Sequence, residues 1–285
     1  MSRVSPRELA IERILQAIAY SSIAILFIIT FFIFKEGLPF IFREGLGEIL
    51  GGVEWRPTKG QFGILPMVVG SLLVTGGALV IGVPLGLSCA IFLVEFSTPK
   101  VRRILKPAIE LLAGIPSVVY GFLGVILLVP LIRVHLGGPG LSLLAGSIIL
   151  GIMILPTIIS ISIDVLEAVP RSYREGSIAL GATTTQTVSM VVLKAARSGI
   201  VTAVILGMGR AIGETMAVIM VTGNAVAAPG SVLDSIRTLT SNIGIELAYA
   251  SGDHQEALFA TGVVLFVMIM VLNLAASMTR RKRIR

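Results

Sequence analysis

Apolar positions in this chain gather into long runs separated by short polar segments. Six runs reach the roughly 20 residues that a helix needs to cross a bilayer. They are 14–34, 65–94, 108–132, 141–163, 199–221 and 257–278. The last two have the softest edges, because Arg210 and Glu214 interrupt one and polar residues open the other. The runs are too long and too continuous for alternating barrel strands, so helices are predicted. Lys35-Glu36 follows the first run where a small-residue cleavage site would stand, so that run is expected to be an uncleaved anchor. The predicted organisation is a basic lead (1–13), one transmembrane domain (14–278) and a basic tail (279–285).

The connecting segments carry their own signals. Pro6-Arg-Glu8 could open a short amphipathic helix in the lead. Segment 35–64 is mixed in charge, holds Trp55, and has turn signals at Gly51-Gly52 and Pro57. Gly82 and Gly86 have the GxxxG spacing that lets helix backbones approach closely. Pro116 removes a backbone donor inside an apolar run, which predicts either a packed kink or a discontinuity near a pathway. A turn is expected at Gly137-Gly-Pro-Gly140. Val232, Ile236, Leu239, Ile243 and Leu247 recur at helical spacing, predicting a helix against the membrane or the outer mouth.

Composition agrees with this picture and adds sidedness. Of 285 residues 55% are hydrophobic and only 14% charged, against about 25% charged in soluble domains. Mean hydropathy is +0.96, which excludes disordered, collagen-like and coiled-coil chains. The one cysteine, Cys89, permits no internal disulfide. The net charge of +7 is unevenly divided. Segments 1–13, 95–107, 164–198 and 279–285 hold sixteen Lys/Arg, and the alternate segments 35–64, 133–140 and 222–256 hold six. The positive-inside rule then puts both termini in the cytoplasm. The basicity reads as topology and headgroup attraction, not as nucleic-acid binding.

Catalytic chemistry is not suggested. No G-x-x-x-x-G-K-[ST] cradle occurs, so ATP binding is not expected of this chain. His135 and His254 fall in outer loops, and no Cys/His/carboxylate cluster has metal spacing, so no metal or cofactor is expected. Two other features stand out. Pro170 suits a helix start and Gly181 a helix end, and Thr183 with Gln186 has capping-box spacing. Two short helices are thus expected to meet at a tight Gly181-Ala182 corner, either a docking element or an ordinary loop. Arg210 and Glu214, four residues apart, are expected on one helix face within an apolar span. Each costs about 2.5–3.5 kcal/mol at a helix centre on the insertion scale. They form either a structural ion pair or a pathway element, in which Arg210 attracts an anion while Glu214 orients Arg210 and prevents permanent trapping.

Glu175-Gly-Ser…Gly181, followed by Val191 and Leu193, resembles the Glu-Ala-Ala…Gly…Ile-x-Leu-Pro signature of ABC importer permeases. Gly176 and Ser177 replace the two alanines, and Lys194 replaces the proline. Phe62-Gly-Ile-Leu-Pro66, Val83-Pro-Leu-Gly86, Gly114-Ile-Pro-Ser-Val-Val-Tyr-Gly121 and Arg210-Ala-Ile-Gly-Glu-Thr-Met-Ala217 are similar to the C-component permeases of phosphate-specific ABC importers. The resemblance implies an all-α integral membrane protein with six transmembrane helices, a type I ABC importer permease fold, in a bacterial or archaeal plasma membrane. It implies a sister permease, two ATP-binding subunits, an extracytoplasmic phosphate-binding protein and phosphate as substrate. It further implies a substrate pathway at Arg210, Glu214 and Thr215, and coupling to the ATPase through Arg174, Glu175, Gly181, Ala182 and Thr183. From the residues alone, a permease for sulfate or molybdate, or a self-sufficient secondary transporter or channel, stays open.

Overall fold

The computed structural model describes residues 6–281, with side chains for 11–278. The first five residues and the last four, parts of the predicted lead and tail, lie outside the described residues. Helix α1 (Pro6–Glu44) is continuous, so the helix expected to open at Pro6 is one with that of the first span. After α2 (Leu46–Gly51), strands β1 (Trp55–Arg56) and β2 (Gln61–Phe62) pair antiparallel, Trp55 opposite Phe62. The second span is α3 (Leu65–Ile91), closed by a π-turn over Phe92–Phe96.

The third run differs from expectation. Residues 108–113 belong to a separate amphipathic helix, α4 (Pro99–Ala113), whose Thr98 cap accepts from the Val101 amide. The chain breaks at Gly114–Pro116, and the span begins only with α5 (Ser117–Leu123), running through a π-turn into α6 (Val129–His135). Pro116 supplies no amide hydrogen and disfavours helix at Ile115, which accounts for the break. The Tyr120 hydroxyl donates to the Leu112 carbonyl at 2.9 Å, spanning the gap. The glycine turn at 137–140 is present, with Gly137, Gly138 and Gly140 all at positive φ.

Helix α7 (Leu143–Glu167) is the fourth span and the best buried of the six. Next come α8 (Arg171–Ala179) and α9 (Thr184–Thr187), which flows through a π-turn at Val188–Val192 into α10 (Leu193–Ile212). The second helix of the expected corner is therefore the opening of the fifth span, Thr184–Ile212, not an independent short helix. That span ends nine residues before its sequence-based limit, and α11 (Met216–Val221) is separate. The expected amphipathic helix is confined to α12 (Leu239–Glu246). Residues 223–238 run irregularly instead: Ile236 donates to the Thr222 carbonyl at 2.9 Å, while Val232 is exposed. Helix α13 (Asp253–Arg281) provides the sixth span.

Helix α7 is the axis of the domain, touched by α3, α4, α5, α10 and α11. Its tightest neighbour is α3, for which the GxxxG pair is the reason. A Cβ on Gly82 would stand 2.8 Å from Ile154 Cδ1 and 2.9 Å from the Gly151 carbonyl oxygen. One on Gly86 would meet Ile158 Cγ2 at 2.9 Å. Ile154 and Ile158 are buried in the central apolar cluster, so neither can retreat without opening the core. Replacing Gly82 by Leu should destabilise the fold by about 1–3 kcal/mol, read as a lower melting temperature in detergent, whereas Gly76→Leu, whose Cβ would meet nothing, should be nearly silent.

Candidate translocation and coupling sites

Arg210 lies in the last turn of α10, half-buried, and Nη1 donates to Thr157 Oγ1 on α7 at 3.3 Å. The expected pairing with Glu214 does not form, because the helix stops at Ile212. Gly213, Glu214 and Thr215 turn the chain, and Glu214 Oε1 accepts from the Ala217 amide at 3.2 Å, satisfying a donor in the first turn of α11. The Glu214 carbonyl accepts from Thr240 on α12 at 2.9 Å, and the Thr215 hydroxyl faces the Gly213 carbonyl. The guanidinium thus has a hydroxyl partner and no carboxylate within ion-pair distance among the described residues. A cation on a half-buried span, uncompensated by a carboxylate, is suited to an anion. Thr157 and Thr240 were not singled out in the sequence, where nothing marks isolated hydroxyls on apolar runs. The break after Ile212 did leave a trace, an acidic residue three positions before Ala217.

At the other end of α7 the corner is built as the spacing indicates. Pro170 precedes the first turn of α8, and Gly181 takes φ +85° just past its end. Thr183 Oγ1 accepts from the Gln186 amide at 3.3 Å, and Gln186 Oε1 from the Thr183 amide at 2.9 Å, a complete capping box. Glu175, Gly181 and Thr183 are exposed and Ala182 is half-buried. Leu180 is 91% exposed at the tip, an apolar side chain offered outward. Arg174 does the opposite. Its guanidinium turns inward to Glu95 in the π-turn that ends span two, with contacts of 2.6–3.2 Å, and donates to the Leu166 and Val169 carbonyls. One side chain therefore ties the corner, the end of α7 and the end of α3 together.

The opposite face holds a third constellation that sequence reasoning did not find. Glu246 at the end of α12 accepts from Trp55 Nε1 at 2.7 Å and from Arg237 Nη1 at 2.6 Å, and lies 2.8 Å from His254 Nε2. Arg237 also donates to the Asn224 carbonyl and to Asn242 Oδ1. These partners come from the hairpin, the 223–238 loop, α12 and α13. Segments 35–64 and 222–256 are thereby fastened into one body.

A family model described as "Binding-protein-dependent transport system inner membrane component" matches residues 82–284, most of the chain. This chain belongs to that family of ABC importer permeases. Among relatives, it is 43% identical over 278 residues to "Probable ABC transporter permease protein YqgH" of Bacillus subtilis (strain 168), covering 94% of this chain and 90% of that one. It is 37% identical over 250 residues to "Phosphate transport system permease protein PstC" of Haemophilus influenzae, covering 80% and 79%. In fold it is similar to a bacterial ABC transporter involved in import of the acidic polysaccharide alginate, with a TM-score of 0.63 at 16% identity over 98% of this chain and all of that one. A permease of the MetNI methionine ABC transporter gives 0.57 at 21%, covering 77% and 93%. The chain is accordingly a multi-pass membrane subunit of type I importer architecture.

Two substitutions probe the fastenings. Glu246→Ala leaves Arg237 partly buried without its carboxylate and should cost about 3 kcal/mol, a drop of about 5–10 °C in melting temperature of the detergent-solubilised protein. Arg174→Lys keeps the charge but loses the planar fork that reaches Glu95 and two carbonyls together. It should cost about 1.5 kcal/mol, the loss of one charged hydrogen bond, read as a drop of about 3–6 °C in melting temperature of the detergent-solubilised protein.

Proposed function

We propose that this chain is the membrane-spanning subunit of an ATP-driven importer of inorganic phosphate in a bacterial inner membrane. The observation that carries the reading is the Arg210 guanidinium held against Thr157 on the central helix α7, with no carboxylate within ion-pair distance among the described residues. The names of the relatives in phosphate transport support the choice of anion. In this reading an extracytoplasmic binding protein delivers phosphate to the outer body fastened by Glu246. A sister permease completes the path, and two ATP-binding subunits take the α8 corner, with Leu180 and Glu175 facing them.

Motion then follows the connections already described. ATP-driven closure displaces the Gly181-Ala182 corner. Arg174 carries that displacement to Glu95 and so to span two, and α9 carries it directly into α10 and Arg210. Because α3 and α7 are locked through Gly82 and Gly86, they tilt together and expose the Arg210 level to alternate sides. Glu214, engaged at the start of α11, does not trap the arginine; phosphate meets a cation whose protein partner is one neutral hydroxyl.

The deciding experiment is uptake of labelled phosphate at limiting concentration in cells with and without the chain, with unlabelled sulfate and molybdate as competitors. Loss of uptake without the chain, uncompeted by the other ions, is expected. Uptake competed by sulfate or molybdate would assign another oxyanion. Arg210→Gln should lower uptake by about 10- to 100-fold, the worth of a charge-assisted hydrogen bond, with assembly intact. Normal uptake by that variant would remove Arg210 from the pathway.

A further inference from the structure

Helix α4 was not anticipated as an independent element, and its surface divides into three sectors. At about 100° per residue, Ile109 and Arg102 point one way. Ile109 is buried against the cluster formed by α3, α7 and α10, and Arg102 pairs with Glu167 at the end of α7. About a third of a turn to one side lie Ile104, Leu111 and Leu112, which are 71%, 75% and 44% exposed. About a third of a turn to the other lie Arg103 and Lys106 with the exposed Glu110 between them, and Lys100 sits at the border with the apolar arc, about 20° from Leu111; none of the three cations is in an ion pair among the described residues. The helix thus has a flank against the protein, an apolar arc, and a polar arc in which three cations outnumber one carboxylate, with Lys100 where the last two meet.

This division fits a helix lying along the membrane surface. One flank packs on the bundle, the apolar arc enters the acyl boundary and the cations reach the headgroups. The position agrees: α4 begins three residues after the π-turn that ends span two, at the edge of the transmembrane region. We infer that α4 is a docking surface for anionic phospholipid headgroups in the cytoplasmic leaflet, held by Lys100, Arg103 and Lys106. The inference rests on the sidedness given by the Lys/Arg distribution and not on the identity of the transported anion. Anionic lipid is the partner of matching charge, since cytoplasmic leaflets attract basic juxtamembrane segments at about 1 kcal/mol per residue. The attachment has leverage. Through Arg102 and Glu167, α4 braces the end of α7 three residues before Pro170, and at its other end the Gly114–Pro116 break opens span three.

The test uses the complete transporter in bilayers of phosphatidylcholine with phosphatidylglycerol. Nitroxide labels are placed at Leu111→Cys and Arg103→Cys in a Cys89→Ser background. The Leu111 label should be open to oxygen and shielded from a water-soluble nickel chelate, and the Arg103 label open to the chelate. A Leu111 label shielded from both relaxants would mean that a protein partner covers the arc, and one open to the chelate would mean a solvated arc; either overturns the proposal. In a second arm, spin-labelled phosphatidylglycerol should associate in preference to phosphatidylcholine. That preference should fall by up to about fivefold for each cation removed in K100Q/R103Q/K106Q. An unchanged preference in the triple variant overturns the role of the cations. Neither arm depends on phosphate uptake.

Discussion

The closeness of α3 to α7 governs the placement of everything else. Helices in lipid gain no hydrophobic energy by meeting, so association depends on close van der Waals contact and on residues small enough to permit it. Gly82 and Gly86 provide that permission against Ile154 and Ile158. Once α3 is seated, α7 becomes a fixed axis with a task at each level. Its N-terminal end donates backbone hydrogen bonds to the 221–234 region, Leu143 to Asp234 and Leu144 to Val232. Its middle offers Thr157 to Arg210, and its C-terminal end offers Glu167 to α4.

Charge is handled differently at each of those levels. At one face Glu246 has three partners, and at the other Arg174 has a carboxylate and two carbonyls. A buried charge so satisfied fixes geometry, because any displacement leaves an uncompensated ion. Between them Arg210 has one neutral hydroxyl. Two well-satisfied clusters thus flank a cation with one neutral partner, the feature on which the proposed anion pathway rests.

How much of this could be read from the residues varies with the range of the interactions. The six spans, the glycine contact, the turn at 137–140 and the corner at Gly181 rest on local rules: run length, small-residue spacing, positive φ and capping. All of them are present in the structure. Local rules also misplaced several boundaries. Apolar run length joined 108–113 to span three, although Pro116 interrupts it and α4 packs separately. Helical spacing extended a helix back to Val232, but backbone pairing of Ile236 with Thr222 claims that stretch. Residues 199–221 were joined into one span, yet Glu214 serves a second helix start.

The sequence by itself determined a mainly helical membrane protein of six spans, its corner and the presence of a charge, Arg210, within an apolar run, because desolvation and backbone satisfaction act on each segment alone. The pairing of charges was decided only by tertiary structure. Spacing of four put Glu214 beside Arg210, whereas the folded chain gives Arg210 a threonine 53 positions away, Arg174 a glutamate 79 away and Trp55 a glutamate 191 away. Such partners become neighbours only after the spans have packed, and no periodicity along the chain encodes which helices will meet.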